Sequence, residues 1–303
     1  MRVVFMGTPD YATEILKALI ADEACEVAGL VTQPDKPVGR RQIMTPPDTK
    51  RYLQEIGSEI EIFQSRTLRE EASVAWIRSK RPDFIVVAAF GQILPREVLE
   101  IAPCINLHAS LLPKYRGASP IQAAIAAGDR YSGVTAMRMD VGLDTGDILG
   151  YSVTEIGERD AAALFGLLSQ MAAKLTVETL HRYARIAPLP QLDCDSSYAG
   201  KITKADGEVD FADAESLYRH YLAYIFWPGI YLPGGLKLKK IALHANSGHH
   251  RAGEILEIAE DHIVVGCETG ALRIDRVQPP SKKEMDILSY IRGKRLGIGD
   301  TLA

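Results

Sequence analysis

Paired cysteines, a glycine-rich phosphate loop, long apolar runs and a strong excess of either charge are all missing from this 303-residue chain. Its four cysteines, Cys25, Cys104, Cys194 and Cys267, stand singly, and its seven histidines show no metal-ligand spacing. Reduced thiols are expected, and no metal. His249 and His250 are adjacent rather than one helical turn apart, which reads as a solvated loop. No apolar run approaches the roughly 20 residues that cross a bilayer. The opening MRVVFMGTPD carries no signal or transit pattern, so a cytoplasmic protein without membrane contact is expected. The formal charge of −4 argues against a chain coated in nucleic acid but leaves room for a local basic patch. GTPDYA lacks the GxGxxG spacing, which removes the ground for a dinucleotide.

What is present is ordinary globular material, 47% hydrophobic and 24% charged, long enough for about two domains of ~150 residues. RVVFMG (2–7) is a short apolar run, and 9–20 has helical spacing through Ala12, Ile15, Leu16 and Leu19. Strand patterns recur at 26–32, 59–63, 83–89 and 103–108, with helical patterns at 48–56 and 69–79. This alternation predicts an α/β fold, a Rossmann-like, mostly parallel sheet with helices on both faces. Such sheets receive ligands at the carboxyl ends of their strands. A helix over 160–184 follows, then a Pro- and Gly-containing stretch at 186–210 with little periodicity. Beyond it come a helix at 213–225 and short strand-like runs, the pattern of a small C-terminal OB-like β-barrel. The expected division is 1–186 catalytic, 187–208 linker, 209–303 C-terminal.

The most informative stretch is CINLHASLLPKYRGASP, 104–120. Alternation along a strand puts Asn106 and His108 on one face, with Ile105 and Leu107 on the other. Ser119, Pro120 and Gln122 then read as the start of a helix that Gly128 can stop. Downstream, GVTAMRMDVGLDTGDI (133–148) supplies Asp144 between Gly142 and Gly146. Each element has a plain structural reading: a satisfied core pair for Asn106 and His108, a turn residue for Asp144. Together, an amide donor, a titratable ring and a carboxylate are the parts of an acyl-transfer site.

These segments, with MGTPDYA, TQPDKPVGR, VVAAFGQILP, YAGKITKADGEVDF and FWPGIY, resemble the folate-dependent formyltransferase family over nearly the whole chain. Within that family, GTPD and QPDxPxGR are similar to the enzymes that formylate initiator methionyl-tRNA. The resemblance implies 10-formyltetrahydrofolate as co-substrate and initiator methionyl-tRNA as partner. It places catalytic roles on Asn106, His108 and Asp144. Asn106 and a protonated His108 would donate hydrogen bonds to the oxygen that becomes negative, with Asp144 holding the ring and helping to move the proton. Folate binding falls on Ser110, Leu111, Leu112 and Pro113. Phe90, Ile93 and Leu94 lie at the sheet edge as core residues or as the floor for a pterin ring.

The family's basic insertion loop falls on roughly 34–47, with Lys36, Arg40 and Arg41. This chain reads GRRQI where more basic relatives read GRGKK. Lys204 and Lys237 are further candidates for tRNA phosphates; all of these lysines and arginines also read as a solvated surface. A monomer is expected. The alternative is a 10-formyltetrahydrofolate-dependent enzyme acting on an amino-sugar nucleotide.

Overall fold

The computed structural model describes residues 1–39 and 41–302. Val3 to Met6 have no solvent exposure, so β1 (Arg2–Gly7) is a strand buried on both faces, as in the middle of a parallel sheet. The chain continues through α1 (Asp10–Ala21), β2 (Glu26–Thr32), β3 (Lys36–Val38), β4 (Ile43–Thr45), α2 (Asp48–Glu55), β5 (Ile62–Gln64) and α3 (Glu71–Ser79). It then forms β6 (Phe84–Ala88), α4 (Arg96–Leu99), β7 (Cys104–His108), β8 (Arg116–Gly117), α5 (Pro120–Ala127), β9 (Tyr131–Arg138), β10 (Ile148–Glu155) and α6 (Ala161–Arg182).

The large sheet has the order β10-β9-β7-β6-β1-β2-β5. Five strands are parallel, while β9 runs antiparallel to β7 and β10 antiparallel to β9. The order reverses at β1, because the chain leaves it toward β2 and β5 and returns to β6 on its other side. The register pair Gly7 and Ala88 therefore opens the crevice where such sheets take ligands. On one face Val4, Met6, Ile85 and Val87 pack with Ile77 of α3 and Val98 of α4. Alternation turns Val3 and Phe5 to the other face, and α1 meets α6 through an edge-on pair, Tyr11 and Phe165, with ring centroids 5.7 Å apart.

β11 (Tyr198–Ala199) pairs with β8, and the C-terminal part comprises α7 (Ala214–Ala223), β12 (Ile230–Tyr231), β13 (Lys237–Ala245), β14 (Ile255–Ile258), β15 (Ile263–Gly266), β16 (Ala271–Gln278), β17 (Met285–Asp286) and α8 (Ile287–Lys294). Its antiparallel sheet follows the path β12-β13-β16-β15-β14, with β17 on β16. Leu238, Val265 and Ile274 of that sheet share one core with Leu217 of α7 and Ile287 and Ile291 of α8. Asp213 and Asp286 cap these helices, accepting from Ser216 N at 2.6 Å and Ser289 N at 2.7 Å. Among the described residues no helix is long and apolar enough to cross a membrane.

The structure adds to the sequence reading in several places. First, the stretch expected as a linker over 187–208 is not a free span. Its residues up to Gly200 belong to the first compact unit, because their backbone satisfies that unit's loops. Arg116 N donates to Ser197 O at 2.8 Å, Ala118 N to Ala199 O at 2.7 Å and Ile148 N to Leu189 O at 2.8 Å. Second, residues 121–130 and 156–163, expected in the catalytic part, group with the second unit. Third, the basic loop folds as a β3–β4 hairpin pairing Lys36 with Thr45 and Val38 with Ile43. β9, β10 and α8 had no counterpart in the sequence reading.

Candidate active site

β7 delivers Asn106 and His108 to one face of the sheet, both buried. Beneath the strand, the Tyr11 hydroxyl donates to the Leu107 carbonyl at 3.4 Å, and full burial pushes that phenol well above its ordinary range. The β9–β10 connection brings Asp144 across. It is ordered from within: Asp140 Oδ1 accepts from Gly142 N at 2.9 Å and from Thr145 Oγ1 at 2.7 Å. Gly146 has no substitute, since a Cβ there would lie 1.8 Å from the Arg138 carbonyl oxygen. Asp144 itself sits at φ 54°, a left-handed conformation that costs a non-glycine residue roughly 1–2 kcal/mol. Surrounding bonds must hold it there.

The Asp144 carboxylate gathers the site. Its Oδ1 accepts from Asn106 Nδ2 at 3.3 Å, its Oδ2 accepts from Gly117 N at 2.9 Å, and His108 Nδ1 lies 3.6 Å from Oδ2. His108 Nε2 is 2.8 Å from the Tyr115 carbonyl oxygen. A carbonyl only accepts, so Nε2 carries a proton and Nδ1 is the nitrogen left to gain or lose one. The ring is thus less free than the sequence suggested. A second donor to a developing oxyanion has to come from Nδ1, in competition with Asp144.

Residues that sequence reasoning passed over hold this arrangement. Gln191 Nε2 donates to the carbonyls of Asp144 at 2.9 Å and Gly146 at 2.8 Å. Its Oε1 accepts from Arg116 Nε at 3.0 Å, while Arg116 Nη1 pairs with Asp193 at 3.0 Å. Ser197 Oγ accepts from Tyr115 N at 2.9 Å. Gly117 approaches the other strand of this clamp so closely that a Cβ would lie 2.6 Å from the Ala199 oxygen. Nothing in the local sequence marks Gln191, because its partners are 45 or more positions away.

Of the residues expected to hold folate, several are committed to the protein's own structure. The Ser110 hydroxyl donates to the Lys114 carbonyl at 2.6 Å. Leu112 packs with Met137 and Ile148, and its amide donates to Thr135 Oγ1 at 3.0 Å. The Leu112–Pro113 bond is cis. Leu111 and Pro113 remain partly exposed. Phe90 and Leu94 are core, packed with Ile77 and Val98, because the loop after β6 folds back under α3 and α4. Their side chains are buried. Ile93 is 72% exposed, and Val141 and Leu143 on the Asp144 loop are also exposed.

Lys36 and Arg41 are exposed on the hairpin; Arg40 lies outside the described residues. Lys50 and Arg51 of the same basic run are tied up, Lys50 with Asp35 at 2.8 Å and Arg51 with Asp48 at 2.5 Å. The Lys50 ammonium and the Gln64 amide hold the Asp35 carboxyl below the usual carboxylate range. In the second unit, Lys204 is exposed with its ammonium 5.8 Å from the Tyr231 ring centre. Lys237 lines a cavity of about 420 Å³ with Tyr221, Tyr224 and Trp227.

A switch-point sheet without a dinucleotide loop, carrying an amide and an imidazole that each approach one carboxylate, defines a group-transfer enzyme of the α/β class. Residues 1–176 match the formyl transferase family and residues 201–295 its C-terminal domain. The chain belongs to the formyl transferase family and groups there with proteins named methionyl-tRNA formyltransferase. One, from Nitratiruptor sp., is 56% identical over 99% of both chains. Another, from Wolinella succinogenes, is 54% identical over 100% of this chain and 99% of its own. Among solved structures, WlaRD, a sugar 3N-formyl transferase crystallised with dTDP and 5-N-formyl-THF, superposes with a TM-score of 0.66. At 18% identity over 93% of this chain and 99% of that one, it shows the shared fold.

Proposed function

We propose that this enzyme transfers the formyl group of 10-formyltetrahydrofolate to the α-amine of methionine on initiator methionyl-tRNA, giving N-formylmethionyl-tRNA for translation initiation in the cytoplasm. The observation that carries the catalytic assignment is the single carboxylate of Asp144, which touches Asn106 and Gly117 and faces His108 Nδ1. Asn106 has a second amide proton to offer the oxygen that turns negative as the amine attacks the formyl carbon. Preorganised donors of this kind are worth roughly 3–4 kcal/mol when removed elsewhere. His108 takes the amine proton on Nδ1, where Asp144 stabilises the charged ring, and returns it toward the folate nitrogen that leaves. The balance is one C–N bond made, one C–N bond broken and one proton moved. Gln191 is a positioning residue in this reading: it keeps Asp144 in its left-handed conformation.

Folate is held at the ends of β6 and β7, with Ile93, Leu111 and Pro113 against the ring and the backbone of 90–94 and 110–113 supplying polar contacts. Ser110, Leu112, Phe90 and Leu94 support those loops from within. Lys36 and Arg41 on the hairpin, with Arg40, Lys204 and Lys237, contact tRNA phosphates, which position without reading sequence. The enzyme acts as a monomer.

The test is a formylation assay in which methionyl initiator tRNA, an amino-sugar nucleotide and glycinamide ribonucleotide compete as acceptors. Label entering methionyl-tRNA is the expected outcome. Label entering the amino sugar instead would replace this reading with the sugar-nucleotide one.

A further inference from the structure

Far from Asp144, where the amino ends of the parallel strands lie, three side chains meet that no part of the proposed reaction uses. Asp22 ends α1, Cys25 follows in the turn into β2, and His181 stands in the last turn of α6. One carboxylate oxygen collects both partners: Asp22 Oδ2 is 3.1 Å from Cys25 Sγ and 2.7 Å from His181 Nε2. All three ligand atoms lie within 4.8 Å of one another. Among the described residues this is the only group of three metal-ligating side chains so placed.

We infer that Asp22, Cys25 and His181 form a binding site for one divalent transition-metal ion of zinc's chemical class. The donor set is thiolate, imidazole nitrogen and carboxylate oxygen, the borderline combination that suits zinc over calcium or magnesium. The turn builds two of the ligands in place. Asp22 Oδ1 accepts from Ala24 N at 3.2 Å and Cys25 N donates to Asp22 O at 2.9 Å, which fixes Oδ2 and Sγ on the same side. His181 closes the set from 159 positions away, which is why sequence spacing gave no hint of a metal.

Without metal, two protons occupy the space between the ligands, one from sulfur and one from nitrogen, both directed at Oδ2. Metal binding exchanges protons for the ion. Tetrahedral bonds of about 2.0–2.3 Å set ligand–ligand edges at about 3.4–3.6 Å, so each present contact must open by roughly half an ångström. The His181 side chain is 44% exposed and can supply that movement. Its exposure also leaves the fourth position to water. The bound ion would staple the end of α6 to the α1–β2 turn, a stabilising role remote from formyl transfer.

The experiment is titration of the metal-free full-length protein with cobalt(II), followed by thiolate-to-cobalt absorption, and then competition with zinc. One equivalent is expected, with a thiolate band and a raised Tm. Cys25→Ser and His181→Gln should each weaken binding by about tenfold or more, whereas Cys194→Ala, removing an exposed thiol, should leave it unchanged. Circular dichroism of each variant separates lost ligands from lost fold; an unfolded His181→Gln is replaced by His181→Asn, which must also lose binding. Absence of a thiolate band, or binding that survives both Cys25→Ser and the His181 variant, overturns the proposal. Formyl transfer measured in parallel is expected to be indifferent to the metal.

Discussion

The Asp144 cluster and the β3–β4 hairpin are built on opposite principles, although one compact unit contains both. Around Asp144, buried groups are paired in a chain that runs from Asn106 through the carboxylate to Gly117, and from its backbone through Gln191 to Arg116. The hairpin has three register pairs and leaves Val38, Ile43 and Met44 more than half exposed. At its base Lys50 meets Asp35 at 2.8 Å, while Lys36 and Arg41 are exposed. Stabilising a transient charge needs donors fixed before the substrate arrives, since reorganisation would consume the gain. Attracting a polyanion needs charge that reaches outward, and long-range attraction tolerates loose placement.

That contrast is broken or sharpened most strongly at the carboxylate. Asp144→Ala and His108→Ala should each lower kcat by roughly 10²–10⁴-fold, with folate affinity, measured by equilibrium binding, largely retained. Folate affinity falling in step with kcat would mean that the cluster binds rather than catalyses. Next comes Gln191→Leu, which removes both amide bonds to the Asp144 loop without touching a reacting group. A fall of about ten- to a hundredfold in kcat with KM for tRNA little changed is expected, because small misplacements of a catalytic group cost that much. An unchanged kcat would show that the loop holds itself.

Smaller effects are expected on the hairpin. Lys36→Ala and Arg41→Ala should weaken tRNA binding and flatten its salt dependence by about one unit of slope per lost phosphate contact, leaving folate affinity unaltered. Identical affinities across a salt series would remove the hairpin from the interface. The smallest effect concerns the hairpin's base. With its folded pKa depressed, Asp35 contributes stability above its unfolded value, and that contribution is lost as pH falls through the folded one. Lys50→Met should move the Asp35 titration upward, toward the ordinary carboxylate range, as followed by NMR of its carboxyl carbon. A titration that stays in place would assign the depression to Gln64 instead.

Much of the first sheet was legible because β1, β2, β6 and β7 are short apolar runs bounded by turn residues, and buried parallel strands look like that wherever they occur. β9 and β10 were not, since their most conspicuous residues belong to the loop between them. α8, an eight-residue helix, was passed over as well. For the site, residue types could be read from motifs, but burial could not. Ser110, Leu112, Phe90 and Leu94 sit in the expected segments with their side chains turned inward, while Ile93 between them faces solvent.

The chain's sequence by itself determined the alternation of strands and helices, the family and the chemical parts of the site, because periodicity and motif are properties of neighbouring residues. Only the tertiary structure decided that Asp144 reaches Asn106, that a stretch reading as linker supplies Gln191, and that Asp22, Cys25 and His181 share one corner. Asp144 and Asn106 are 38 positions apart, and Asp22 and His181 are 159. Closure over such distances is set by how whole elements pack, and no local pattern encodes it.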